Sequence, residues 1–231
     1  TYRHIYGDNP EYDLTTDEFK AIVDNTEYDI LLAGFPCQAF SSVGLQEGFQ
    51  NAEKGQIFFH IAEIMKRTRP MAFFLENVER LVTHDAGNTF RTIIDTLITE
   101  LGYHLIGVEV NQDGGFSYSH KNFVRNSRDF GVPQNRPRTY LIGFDTERFS
   151  PEQIANLPRE LPLKRNCAIY EDLNELLDHN VEAKYYMASG YLDTLIRHRE
   201  RQEGKGYGFG YRIVNAPEIE HPIANTLLAT G

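Results

Sequence analysis

The chain has 231 residues, which is enough for one large domain or two small ones. Its 41% hydrophobic and 24% charged residues, with a mean hydropathy of -0.45, exclude the disordered, collagen-like and membrane-embedded classes. No apolar run approaches the roughly 20 residues that a bilayer span requires. The net charge of -10 argues against nonspecific coating of nucleic acid, but positive charges concentrate around residues 120–140 and 197–212.

The amino-terminal residues and the cysteines favour a reduced, cytoplasmic setting. The first ten residues show no basic start, apolar core or cleavage site of a secretory signal. Cys37 and Cys167 are the only two cysteines, and their wide separation gives neither a disulfide framework nor metal-ligand spacing. The eight histidines show no ligand spacing either. We therefore expect no membrane attachment and no bound metal.

The first predicted elements are a strand, a helix and a second strand. A nearly continuous apolar run over residues 28–35 predicts a buried parallel strand that leads to Cys37. Residues 56–67 show the spacing of an amphipathic helix. A second buried strand is predicted over residues 71–75, and Glu76 follows it.

The alternation of strands and helices continues to about residue 145. An amphipathic helix is predicted over residues 88–101, and strands are predicted over 105–110 and 140–144. This order is typical of an α/β layer with parallel pairing. After it, prolines become frequent and long apolar runs become rare, so we predict two domains, 1–145 and 146–231.

Cys37 and Glu76 both follow predicted parallel strands, at the carboxyl edge of a sheet where ligands collect. A thiolate beside a carboxylic acid suits nucleophilic catalysis on an electron-poor ring, because the thiolate attacks and the acid stabilises the atom that gains electron density. Each residue also has a structural interpretation. A lone cysteine often fills the end of a strand, and a carboxylate there is often only solvated.

Four motifs occur in order on the predicted elements. They are Gly34-Phe-Pro-Cys-Gln-Ala-Phe-Ser-Ser-Val-Gly44, Gly55-Gln-Ile-Phe58, Glu76-Asn-Val78, and Pro133-Gln-Asn-Arg-Pro-Arg138 followed by Leu141-Ile-Gly143. Together they resemble successive motifs of the cytosine-C5 DNA methyltransferases, bacterial enzymes of the Dcm-like or restriction-modification type. The resemblance implies an S-adenosylmethionine-dependent methyltransferase (Rossmann-like) α/β domain.

The resemblance also implies a reaction. In the family, the cysteine of Pro-Cys-Gln adds to C6 of cytosine, and the glutamate of Glu-Asn-Val engages N3 and the exocyclic amine. By position these residues are Cys37 and Glu76. The electron-rich C5 then takes the methyl group of S-adenosylmethionine. Because the ring lies inside the duplex stack, the cytosine must be flipped out, and the polar loop 38–54 is long enough to close over it.

Four more residues are assigned to the catalytic set by the same motifs. Arg138 is expected to contact the cytosine O2 and neighbouring backbone through its fork of donors, with Arg136 in support. The pair could instead have a strand-edge or phosphate-positioning role. Asn77 is expected to orient the catalytic loop backbone, and Gln38 belongs to the Pro-Cys-Gln motif.

The resemblance gives fewer cofactor contacts. Asp13 is the candidate for the adenine amine of S-adenosylmethionine, and Pro36 and Ile57 would pack on the adenine ring. The glycine-rich first motif and the acidic residue for the ribose are not found. We therefore expect 1–145 to be an N-terminally truncated catalytic domain and 146–231 a partly complete target recognition domain.

The implied function is that of a DNA (cytosine-5-)-methyltransferase, with double-stranded DNA as substrate and a restriction endonuclease as possible companion. One alternative is a transfer-RNA cytosine-C5 methyltransferase, which shares the Pro-Cys-Gln and Glu-Asn-Val motifs. Another is a catalytically inactive DNA-binding or regulatory module of the same fold. The presence of Cys37, Glu76, Arg136 and Arg138 argues against the inactive module.

Overall fold

The computed structural model describes residues 5–7, 11–36, 57–165, 169–170, 172–206 and 213–226. Cys37, Gln38 and Cys167 lie outside these residues, as does the loop 38–54. The chain divides into two compact units. The first comprises Thr1–Arg125 with Pro137–Pro162, and the second comprises Asn126–Arg136 with Leu163–Gly231.

Strands and helices alternate in the first half of the chain, which confirms the α/β class. The strands of the described residues are β1 (Ile30–Gly34), β2 (Ala72–Val78), β3 (Tyr103–Leu105), β4 (Val108–Val110), β5 (Phe116–Tyr118), β6 (Val124–Asn126), β7 (Gln134–Asn135), β8 (Pro137–Asp145) and β9 (Ala224–Asn225). The α-helices there are α1 (Asp17–Asp24), α2 (Ile57–Thr68), α3 (Asn88–Asp95), α4 (Pro151–Ala155) and α5 (Ser189–Glu203).

Shorter helical turns complete the described elements. A π-helical turn, Thr96–Glu100, continues α3, so the predicted helix over 88–101 forms with a change of hydrogen-bond pattern in its last turn. Turns of 3-10 helix occupy Glu79–Gly87, His120–Asn122, Ser127–Phe130, Leu173–Leu176 and Ala183–Tyr185. No helix in the described ranges combines the length and apolar character needed to cross a bilayer.

The main sheet of the first unit has the order β1-β2-β8-β3, with β6 also paired to β8. β1 and β2 are parallel, and Gly34 lies opposite Glu76. β8 runs antiparallel to both β2 and β3, so the expected parallel pairing holds for β1 with β2 but not for these two pairs. The strand predicted over 105–110 is interrupted at Gly107, whose φ of 91° turns the chain from β3 into β4. Apolar runs alone carry no information on strand direction.

Two observed strands differ from the prediction, β2 in its length and β1 in its burial. β8 pairs with the second strand as far as Val78, which lies opposite Arg138. The second strand is therefore longer than predicted, and Glu76 and Asn77 lie within β2. β1 is an edge strand of the described sheet, and only one of its faces packs on the core. The side chains on its other face are exposed, 60% for Ile30 and 72% for Leu32, so the prediction of a fully buried strand is wrong.

The core forms where α2 and α3 pack against the central strands. Phe58, Phe73 and Phe90 are each at most 1% exposed, as are Leu75 and Leu141. In β8, a Cβ atom at position 143 would overlap the ring of Phe73, so only glycine fits there. This packing fixes β2 and β8, the two strands that carry Glu76 and Arg138.

The second unit contains less regular structure. β7 pairs in parallel with β9, with Gln134 opposite Ala224. The longest helix of this unit among the described residues, α5, carries many charged side chains, and none of its residues is buried. The first unit extends to Pro162, beyond the compositional break at residue 146. The assignment of catalytic and target recognition domains remains a prediction.

Candidate active site

Glu76 and Arg138 form an ion pair at the carboxyl end of β2. Nε of Arg138 lies 2.9 Å from Oε1 of Glu76. Arg138 is opposite Val78, two residues beyond Glu76, and side chains two residues apart lie on the same face of a sheet. The side chains are 14% and 36% exposed, so the guanidinium is largely enclosed while the carboxylate reaches solvent. A partly open carboxylate held by a guanidinium can accept hydrogen bonds from the N–H groups of a polar ring.

Asn77 connects the ends of the two parallel strands. It is 2% exposed, and its Nδ2 donates to the carbonyl oxygen of Phe35 at 2.6 Å. Its Oδ1 accepts from the backbone N–H of Val78 at 2.8 Å. Phe35 also donates its backbone N–H to the carbonyl oxygen of Glu76. The backbone two residues before Cys37 is therefore tied to the strand that carries Glu76.

Thr139 adds a contact that the sequence reasoning did not identify. It is 1% exposed, and its hydroxyl donates to the carbonyl oxygen of Val78 at 3.1 Å. This bond holds the end of β2 where the chain enters the following 3-10 helix. The only sequence signal was its position immediately after Arg138.

Arg136 belongs to the second unit, whereas Arg138 belongs to the first. The backbone N–H of Arg136 donates to Oδ1 of Asn126 at 2.9 Å, and its side chain is half-buried. Nδ2 of Asn126 donates to Oδ1 of Asn135 at 2.7 Å. Sequence reasoning missed Asn126, because its ten-residue separation from Arg136 follows no helix or strand period.

The three predicted cofactor residues lie on separate elements of the first unit. Asp13 lies in the loop before α1, Pro36 follows β1, and Ile57 begins α2. Asp13 is exposed, and its Oδ1 accepts from the backbone N–H and hydroxyl of Thr15 at 2.9 and 2.7 Å. These bonds lower the pKa of Asp13, and His60 on α2 lowers it further.

Asp13 and Pro36 were predicted to contact adenine, and each presents an exposed group of the required chemical type. An exposed, ionised carboxylate accepts a hydrogen bond of the kind that the adenine amine donates, and the exposed ring of Pro36 offers an apolar surface. Ile57 is partly buried against the core, so part of its side chain is engaged in packing. Within the described ranges, no group of three His, Cys, Asp or Glu side chains could hold a metal ion.

Two cavities lie at opposite edges of the main sheet. At the carboxyl end of β2, a cavity of about 430 Å³ is lined by Glu79, Arg80, Val82, Thr83, His120, Lys121 and Val124. Arg80 and Lys121 are exposed, and neither forms an ion pair with a described residue. At the amino end of β1, a second cavity of about 700 Å³ is lined by Asp24, Thr26, Glu27, Tyr28, Asp29, Arg67, Thr68 and Arg148. Positive charge without a described partner therefore lies at the edge that also holds Glu76.

Comparison with known proteins identifies relatives across almost the whole chain. The family model for C-5 cytosine-specific DNA methylases matches residues 1–226. The chain is 39% identical over 231 residues to Type II methyltransferase M.HpaII of Haemophilus parainfluenzae, covering 100% of this chain and 57% of the relative. It is 38% identical to Type II methyltransferase M1.ScrFI of Lactococcus lactis subsp. cremoris, covering 99% and 51%. The chain thus spans about half the length of these relatives.

A solved structure supports the fold. A mutant of DNMT2 from Spodoptera frugiperda matches with a TM-score of 0.53 and 16% identity, covering 81% of this chain and 51% of that one. The predicted Rossmann-like methyltransferase fold is confirmed. From the family match and the identity to its members along the chain, we conclude that this chain belongs to the C-5 cytosine-specific DNA methylase family.

Proposed function

We propose that the protein containing this chain is a DNA (cytosine-5-)-methyltransferase that methylates a flipped-out cytosine in a specific short duplex sequence. The observation that carries the proposal is the Glu76–Arg138 pair, at the same sheet edge where the backbone of Phe35 leads to Cys37. The description of the matching family, C-5 cytosine-specific DNA methylase, supports DNA as the substrate class.

The chemistry requires electron density to be pushed into the cytosine ring, because C5 is a poor nucleophile. The Cys37 thiolate would add to C6 while Glu76 holds N3 and the exocyclic amine, and C5 then becomes nucleophilic. Loss of the C5 proton and departure of the thiolate would restore the aromatic ring. Arg138 keeps the Glu76 carboxylate in place through Oε1.

S-adenosylmethionine, when bound, supplies the electrophilic methyl group for C5. Of the described residues, Asp13 would accept a hydrogen bond from the adenine amine of S-adenosylmethionine. Pro36 and the exposed part of Ile57 would line the adenine ring. Asn77 would act indirectly, since it fixes the backbone that precedes Cys37. Arg136 would support substrate binding, as its motif implies, and Gln38 would act within the Pro-Cys-Gln segment.

The cavity at the carboxyl end of β2 is suited to the DNA backbone. Arg80 and Lys121 can neutralise phosphate charge, and the cavity begins at Glu79, three residues after Glu76. One carboxylate, that of Glu79, also lines it. A net acidic protein can therefore bind DNA at this edge, because local rather than total charge governs contact.

We further propose that residues 1–145 serve catalysis and 146–231 contribute to target recognition, in a cytoplasmic enzyme. The Type II names of the relatives support a restriction-modification role with a companion restriction endonuclease.

Bisulfite sequencing tests the function directly. The complete protein that carries this chain is expressed in a methylation-free host, alongside Cys37→Ser and a control, Cys167→Ser. We expect methylcytosine at one short sequence with the wild type and with Cys167→Ser, and none with Cys37→Ser. Unmethylated DNA from well-expressed wild-type protein, or activity retained in Cys37→Ser, would contradict the proposal. Methylation of transfer RNA instead would favour the RNA enzyme.

A further inference from the structure

Two consecutive residues of the second unit, Asn126 and Ser127, form hydrogen bonds with the backbone of Arg136. Its N–H donates to Oδ1 of Asn126 at 2.9 Å, and its carbonyl oxygen accepts from the backbone N–H of Ser127 at 3.4 Å. Arg136 lies just after β7, which has only two residues, and just before β8. Both hydrogen bonds of its peptide groups thus depend on the segment that begins at Asn126.

Asn126 uses both atoms of its amide. Oδ1 accepts from Arg136 and also, at 3.4 Å, from the backbone N–H of Arg128, which makes Asn126 the N-cap of the 3-10 helix Ser127–Phe130. Nδ2 donates to the side-chain Oδ1 of Asn135 at 2.7 Å. The hydroxyl of Ser127 donates to the carbonyl oxygen of Gln134 at 2.5 Å. Every residue from Gln134 to Arg136 is therefore bonded to Asn126 or Ser127.

We propose that Asn126 is a positioning residue of the active site, which acts by fixing the backbone from which the Arg136 side chain extends. The inference rests on the proposed function, because it assumes that Arg136 serves the methyl-transfer site. A guanidinium extends far from its Cα atom, so a small rotation of its backbone displaces the charged end by a larger distance. A side-chain amide can accept from Arg136 and donate to Asn135 at the same time.

A double-mutant cycle separates positioning from general stability. Asn126→Ser keeps a good N-cap residue for the 3-10 helix but has a shorter side chain with no amide donor. In the complete protein, we expect it to lower kcat/KM for DNA methylation by about tenfold, with little change in Tm, as loss of a positioned hydrogen bond predicts. In an Arg136→Ala background the same change should lower activity by less than about twofold.

Two further variants sharpen the test. Asn126→Asp keeps the acceptor for Arg136, and the Asn135 amide can rotate to offer its donor, so we expect activity within about threefold of wild type. Asn122→Ala removes a similar bond, from Asn122 Nδ2 to the carbonyl oxygen of Gly107 at 3.3 Å. Its effect should be the same with and without Arg136→Ala. Equal losses from Asn126→Ser in the two backgrounds would overturn the inference.

Hydrogen exchange provides a readout that needs no turnover. Asn126→Ser should speed exchange of the Arg136 amide, whereas Asn122→Ala should not. Unchanged protection of that amide would overturn the inference even in an inactive protein. Absence of DNA methylation by the wild type would instead contradict the proposed function, and if transfer RNA proves to be the substrate, the same cycle is run on it.

Discussion

Asn77 donates its Nδ2 to the carbonyl oxygen of Phe35 at 2.6 Å, across the parallel strands β1 and β2. The bond is buried, and it joins the strand that carries Glu76 to the backbone that precedes Cys37. Together with the bond from the Phe35 N–H to the Glu76 carbonyl oxygen, it holds the end of β1 against β2.

Replacing Asn77 by alanine should impair both folding and activity. The change leaves the Phe35 carbonyl and the Val78 N–H without their partner, and we expect a loss of about 1–3 kcal/mol in the free energy of unfolding. Chemical denaturation measures the loss. As a control, Asn25→Ala removes an exposed bond to the Ala21 carbonyl and should cost less. Equal losses of unfolding free energy at the two positions would contradict a stabilising role for the buried hydrogen bonds of Asn77.

Glu76→Gln should separate charge from shape. The amide keeps the size of the side chain but removes the carboxylate that pairs with Arg138. We expect methylation to fall by about a hundredfold or more, as loss of an acid–base group predicts, with little change in Tm because the carboxylate is partly exposed. Single-turnover rates at saturating DNA measure this effect. The exposed control Glu109→Gln should leave the rate unchanged, and a Glu76→Gln rate near that of wild type would rule out a catalytic role.

Arg80→Gln and Lys121→Gln test the contact with the DNA backbone. If each cation neutralises one phosphate, each change should reduce the slope of log Kd against log salt by about 0.9. Fluorescence anisotropy from low to moderate salt gives the slope. Arg148→Gln removes another exposed charge, at the opposite edge of the sheet, and should not alter the slope. Identical slopes for all three variants and the wild type would refute the phosphate contact.

Leu75→Ala should destabilise the protein far more than Leu163→Ala. Leu75 is 1% exposed within the core, and its truncation should cost about 2–5 kcal/mol. Leu163 is 70% exposed, and the same change should stay within about 0.5 kcal/mol. Urea denaturation of both variants measures the difference. A small cost at Leu75 would mean that the described packing between α2, α3 and the sheet is wrong.

His104 should make stability fall below neutral pH. Burial lowers its pKa from the ordinary value of 6.5, because the charged imidazolium is less well solvated in the folded state. As pH falls below 6.5, the unfolded chain takes up a proton that the folded chain resists, so stability decreases until the lowered pKa is reached. His104→Gln should flatten this part of the stability curve. If the stability of His104→Gln depends on pH as that of the wild type does, other groups cause the pH dependence.

The order of motifs and the spacing of apolar side chains were sufficient to predict several features. The helix at 56–67 forms as α2 within one residue, and the apolar runs at 28–35 and 71–75 contain the strands β1 and β2. Glu76 and Arg138 were assigned to one site from their motifs, and the structure brings them into contact. Their chemical roles, like that of Cys37, remain predictions.

Only the tertiary structure decided how these pieces meet. Strand direction depends on the connections between elements, so the antiparallel insertion of β8 between β2 and β3 was not visible in the apolar pattern. The roles of Thr139 and Asn126 were equally hidden, because a hydrogen bond to a backbone group across strands or turns follows no sequence period. Local patterning determined which segments form elements, whereas long-range pairing and packing determined the positions of the polar side chains around Glu76.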